Sequence, residues 1–260
     1  MNLFRSILKS SAITITHVFP QTEWYRVAYV ISGMLAKVSD VLPTVSVIPT
    51  IKRKPKKYKN TVAINHAVKL NYLLAVMTHG GKPFPIPILA QGIELFRKPR
   101  PNGVILCSTH LPLGKVALRH LMEQNFKPTL ALAADPGLIN VISVWGITEK
   151  MAAARTGPYV LQKAKTVLQN GGSVVVLVDK ELGAVYSPNV FRLAEKINAD
   201  IIYFDAALQD DGIIKVRFQE SEWNGYKQVN CIQEQLNELY QHTETLLQQY
   251  NNAGYLTAPC

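Results

Sequence analysis

Acidic side chains are scarce in this chain of 260 residues: 18 Asp and Glu face 28 Lys and Arg, a formal net charge of +10. That imbalance excludes a strongly anionic surface and suits anionic partners such as a bilayer, an acidic carrier protein or a phosphorylated substrate. Nucleic acid is the least favoured of the anionic partners, because no helix-turn-helix, zinc-finger or aromatic-basic motif accompanies the basic residues. Cysteine is scarcer still. Cys107, Cys231 and Cys260 have no metal-ligand spacing and are too few for a disulfide framework, so a reducing compartment is expected. Cys107, inside an apolar run, reads as a small buried hydrophobe rather than a reactive thiol.

Long apolar runs are missing as well. The first twenty residues, MNLFRSILKSSAITITHVFP, hold an interrupted apolar region with no small-residue cleavage site after it, unlike a signal peptide. The segment from Val27 to Val38 is broken by Ser32, Gly33 and Lys37 and closed by Asp40, short of the about 20 apolar residues of a spanning helix. There is no P-loop, G-x-S-x-G elbow, metal-ligand cluster, internal repeat or low-complexity linker, so no cofactor is expected.

What is present divides into residues 1–60, an amino-terminal helical region, and residues 61–260, an α/β domain ending in an amphipathic helix. Two readings of the amino-terminal region stay open. In one, Leu3, Phe4, Ile7 and Leu8 face lipid beside Arg5 and Lys9, with Trp24 and Tyr25 at the headgroup level. In the other, a helical pair packs on the main domain. The run Lys52-Arg53-Lys54-Pro55-Lys56-Lys57-Tyr58-Lys59 is either solvated surface or a contact with anionic lipid, where each basic residue adds about 1 kcal/mol. The expected location is cytoplasmic, with peripheral binding to the inner face of the cytoplasmic membrane left open.

From Thr61 to Met77, Val62, Ile64, Ala67, Leu70, Leu73, Leu74 and Met77 recur at helical spacing. His79 reads as a residue of that helix's carboxyl terminus, favoured by the dipole, rather than a site residue. The Pro83-Phe84-Pro85-Ile86-Pro87 stretch must be extended. The stretch GVILCSTHLPLGKVALRH, from Gly103 to His120, then reads as buried strand, tight turn and helix, with His110 just before the helix amino terminus. Strands are predicted over Thr129–Ala134, Val174–Val178, Ile201–Leu208 and Ile213–Phe218. Helices are predicted over Tyr159–Gln169, Phe191–Asn198 and Val229–Tyr250, with the segment Asp210-Asp211-Gly212 as a hairpin turn. The fold class is therefore α/β, a mainly parallel mixed sheet with helices on both faces.

The segments from about Gly92 to Phe218, roughly half of the chain, resemble the lysophospholipid acyltransferase superfamily. They are most similar to its bacterial lipid A late-acyltransferase branch, the lauroyl and myristoyl transferases. The likeness is carried by QGIELFRKPRPNGVILCSTH, by the helix ending in Leu168-Gln169-Asn170-Gly171-Gly172, and by the strand Val174 to Val178 closing on Asp179. It implies a glycerolipid acyltransferase-like fold and acyl transfer from a thioester donor, an acyl carrier protein or CoA, to a lipid or small-molecule acceptor. Three departures stand out. The family carries His-x-x-x-x-Asp or His-x-x-x-x-Glu, and here the fifth residue after His110 is Lys115. The usual arginine at the end of the second strand is Ala133 or Ala134, followed by Asp135. The glutamine that usually follows the strand-end aspartate is Lys180.

A lysine cannot orient or stabilise an imidazolium, so another carboxylate fills that role or the usual chemistry is absent. The candidate catalytic residues are His110 as base, Asp179 or Glu181 as its carboxylate, and Lys115 as a donor to the oxyanion. Ser108, Thr109, Gly114, Asp135, Arg155 and Lys180 are the candidate substrate-binding residues, brought together because parallel strands share one carboxyl edge. The expected function is acyl transfer to a hydroxyl or amine through a variant site. The alternative is a non-catalytic relative that binds an acyl chain, lipid or acyl carrier.

Overall fold

An apolar run such as Val104 to Cys107 is satisfied only where both faces of its strand are covered, and it lies at the centre of the sheet. The computed structural model describes residues 3–41, 61–77, 84–133, 151–157, 159–179, 186–222, 224 and 231–252. In chain order the elements are α1 (Leu3–Val18), α2 (Trp24–Val41), α3 (Thr61–Met77), β1 (Ile88–Gln91), β2 (Val104–Ser108), α4 (Gly114–Glu123) and β3 (Leu130–Ala133). Then follow β4 (Ala153–Arg155), α5 (Val160–Gln169), β5 (Ser173–Leu177), α6 (Asn189–Ile197), β6 (Asp200–Leu208), β7 (Ile214–Glu220) and α7 (Cys231–Asn252). Single 3-10 segments cover Gln21–Glu23 and Ile93–Arg97.

The strands form one sheet in the order β1-β7-β6-β2-β5-β3-β4. β6, β2, β5, β3 and β4 run parallel to one another. The hairpin from β6 to β7 is antiparallel, and β1 lies parallel to β7, so these two strands at one end of the sheet run the other way. The mainly parallel mixed sheet expected from the pattern is thus present. β1 and β4 were not predicted, and Arg155, a candidate substrate-binding residue, closes β4.

Two apolar clusters cover the two faces. One joins Leu106, Val175, Phe204 and Val216 of the sheet to α1, α2, α3 and α4; the other joins Ile105, Cys107, Val176 and Tyr203 to α5, α6 and the first half of α7. α3 is packed on several sides, by α1, α2 and α7, and buries even His66 and Lys69. Glycine is required where Gly92 follows β1: its φ is +79°, and a Cβ there would lie 1.9 Å from the carbonyl oxygen of Phe218. The glycine that opens the Gly-Ile-Glu-Leu segment is therefore fixed by close backbone approach.

The headgroup placement of Trp24 and Tyr25 is corrected. Both are buried: Trp24 donates Nε1–H to the carbonyl of Phe19 at 3.0 Å and meets Phe84 edge-on, and the Tyr25 hydroxyl donates to the carbonyl of Gly212. Each ring's polar tip finds a hydrogen-bond partner inside the domain, the usual arrangement where Trp or Tyr is buried. Leu8 also turns inward while Ile7 stays exposed. No helix among the described residues is long and apolar enough to cross a membrane. The basic run Lys52 to Lys59, His79, Asp135, Lys180 and Glu181 lie outside the described residues.

Candidate active site at the carboxyl edge of β2 and β5

Parallel pairing sets the site. Ser108 is in register with Leu177, so His110 and Asp179, each two residues further on, leave the sheet level with each other. The chain then departs to opposite faces: after β2 it enters α4, which belongs to the first cluster, and after β5 it reaches α6, which belongs to the second. Neighbouring strands that exit to opposite faces open a crevice between their carboxyl ends, where open α/β sheets hold ligands.

His110 and Asp179 are in direct contact there. The backbone N–H of His110 donates to both carboxylate oxygens, at 3.0 and 3.1 Å, and the ring Nδ1 lies 2.8 Å from Oδ1. The Asp179 side chain is wholly buried, whereas that of His110 keeps 33% exposure. An ionised carboxylate only accepts hydrogen bonds, so the shared proton sits on Nδ1, and Nε2 of a neutral ring then carries none. A buried acceptor thus fixes the tautomer and direction of a partly exposed imidazole. A further bond, Leu111 N–H to the carbonyl of Thr109 at 2.7 Å, turns the chain tightly around His110.

The other expected residues are placed as follows. Lys115, in the first turn of α4, is partly buried, and desolvation pushes its pKa down. The Gly114 amide donates to the carbonyl of Leu111 at 3.3 Å. Ser108 is buried, with its hydroxyl 3.4 Å from the carbonyl of Thr109. Thr109 is buried and shares a hydrogen bond with the Thr243 hydroxyl at 3.5 Å. Arg155 is exposed at the end of β4, three strands away from β2, or about 14 Å at ordinary strand spacing. It is not brought to His110. Cys107 is fully buried, and desolvation, then the nearby Asp179, pushes its thiol pKa up, which agrees with a packing role.

Residues that the sequence did not single out complete the surroundings. Tyr186 stacks on Tyr240 of α7 with ring centroids 3.9 Å apart, and its hydroxyl bonds Thr243. Burial is the main cause of its pKa rising to about 12. α7 itself crosses the carboxyl edge: Leu236 and Leu239 belong to the α5–α6 side of the sheet, and Leu246 belongs to the α3–α4 side. The helix read as packing alone therefore roofs the crevice. A signal was there to be read, since Thr243 continues the stripe of Leu236, Leu239 and Leu246, where a hydroxyl needs a buried partner.

No group of three or more His, Cys, Asp or Glu suited to a metal ion occurs among the described residues. A separate open cleft of about 360 Å³ is lined by Phe84, Pro85, Ile86, Arg119 and Glu123, and shares no residue with the His110 crevice. No protein-family model and no curated protein matches the chain.

Proposed function

We propose that the chain is an acyltransferase of the glycerolipid acyltransferase-like kind, working through a variant dyad in which Asp179 takes the place of the family's carboxylate. The observation that carries this reading is the Nδ1 to Oδ1 contact of 2.8 Å between His110 and Asp179. The donor is a thioester of an acyl carrier protein or CoA, and the acceptor is a hydroxyl or amine. The acceptor's lone pair attacks the thioester carbonyl carbon while Nε2 of His110 removes its proton. The carbonyl electrons move onto oxygen, where the Lys115 ammonium provides positive charge. As they return, the C–S bond breaks, and the leaving thiolate takes the proton back from the imidazolium. Asp179 stabilises that imidazolium without itself being protonated, by analogy with other carboxylate-oriented histidines.

Lys115 fits this division of labour better than it fits the role of an orienting acid. Its depressed pKa reflects a desolvated ammonium, whose attraction for a developing oxyanion is stronger than in water. The test is to incubate the purified protein with acyl carrier and CoA thioesters and candidate amines and alcohols, following acylated product by mass spectrometry. Product that depends on His110 supports the reading. Tight acyl-thioester binding with no product supports the non-catalytic alternative instead.

We also propose peripheral contact between the α1–α2 pair and an anionic bilayer. Ile7, Ile13, Val18, Phe19, Met34 and Val38 are exposed there, interspersed with the exposed basic residues Lys9, Arg26 and Lys37. Apolar residues with a basic surround suit an anionic headgroup layer.

A further inference from the structure

A second imidazole–carboxylate pair lies on the other side of β2. Within β6 the residues Ile201 to Leu208 are all buried, and Asp205, the acid among them, is fully buried. A lone carboxylate in that position costs several kcal/mol unless it is paired. Asp205 has a partner for each oxygen. Arg217, directly opposite on β7, places Nε 3.2 Å from Oδ1, and His242 of α7 bonds Oδ2 through Nε2.

The pair stands at the edge where His110 sits. Cys107 is in register with Tyr203, so Thr109 and Asp205, each two residues on, lie level on neighbouring strands. Consecutive residues of α7 reach both: His242 holds Asp205, and Thr243 holds Thr109, the residue before His110. Arg217 alone already balances the charge of Asp205, so neutralisation does not account for the histidine. What His242 adds is an attachment of the roof helix to the sheet, at the point where that helix passes from one face to the other.

From this we propose that His242 is a positioning residue of the acyl-transfer site. Through Asp205 it fixes α7 across the carboxyl edge, and through the adjoining Thr243–Thr109 bond it sets the direction of the strand end that carries His110. The inference rests on the acyltransferase reading for its kinetic consequence and on geometry alone for its structural one. A misplacement of about 1 Å at a reacting group can lower a rate about 100-fold, so a small release of α7 is enough to matter.

The experiment uses the full chain, labelled with 15N, and compares wild type with His242→Ala, His242→Gln and Thr243→Val. Without any substrate, the ring nitrogen signals of His110 report whether its proton is held on Nδ1. Wild type and His242→Gln, whose amide still donates to Asp205, are expected to show that tautomer. His242→Ala and Thr243→Val are expected to show a mixture, with turnover at least about tenfold lower at little changed KM. If His242→Ala does not fold, Thr243→Val decides, because valine keeps the threonine shape without the hydroxyl. Unchanged His110 signals in the folded variants overturn the inference. Absence of turnover in wild type with those signals shifted in the variants overturns the acyltransferase reading and leaves the positioning intact.

Discussion

His66 should make the protein acid-sensitive by an amount that can be worked out. Its ring is buried between α2 and α3, lies 3.4 Å from where a Cβ on Gly33 would stand, and bonds the carbonyl of Tyr29 through Nε2 at 2.9 Å. Burial lowers its pKa from 6.5 to about 4, reinforced by Lys69 and Lys37 and opposed by the bond to Tyr29. The unfolded chain therefore binds a proton that the folded chain refuses, and stability falls as pH drops below 6.5 until the folded pKa is passed. A gap of 6.5 to about 4 amounts to about 3 kcal/mol in all, of which about 2 kcal/mol is lost by pH 5. Urea unfolding followed by far-UV circular dichroism at pH 7.5, 6, 5 and 4.5 (roughly spanning the window) measures it. His66→Gln keeps a donor for Tyr29 but does not titrate, so its curve should be flatter than wild type by that amount. Parallel pH dependence in the two proteins would show that His66 is not the group responsible.

Gly92→Ala should destabilise by at least about 2 kcal/mol, since a Cβ at φ +79° would meet the Phe218 carbonyl at 1.9 Å; an unchanged urea midpoint counts against the packing described. Vesicles containing anionic lipid should retain the protein, with retention falling as salt rises; equal binding to neutral vesicles would remove the electrostatic part of the α1–α2 contact. Lys115→Glu should lower turnover by about 100-fold if the ammonium stabilises the oxyanion, whereas equal or faster turnover would take Lys115 out of the mechanism.

The sheet was readable because its central strands carry little but apolar residues. Val104 to Cys107 and Val174 to Val178 could hardly be anything but doubly covered strands, and α3 ends where expected, at Met77. β1 and β4 were not readable: Ile88–Gln91 and Ala153–Arg155 are too short to show a period and are held as strands by their neighbours in the sheet. The contact of His110 with Asp179 followed from parallel register, a local rule applied to two strand ends. That of Asp205 with His242 did not, because it depends on where α7 crosses the edge, and no periodicity within the helix encodes that. A buried acid between Phe204 and Ala206 was the visible hint. Trp24 and Tyr25 misled for a related reason, since an amphipathic ring suits a bilayer surface and a polar partner inside a domain equally well.

Whether Asp179 makes His110 a base is decided by measuring acyl transfer from an acyl-carrier or CoA thioester, in parallel, for wild type, His110→Ala and Asp179→Asn, each first verified as folded. Both variants are expected to lose about 100-fold or more in kcat, with thioester binding retained. Turnover at the wild-type rate in His110→Ala would contradict the role of His110 as base.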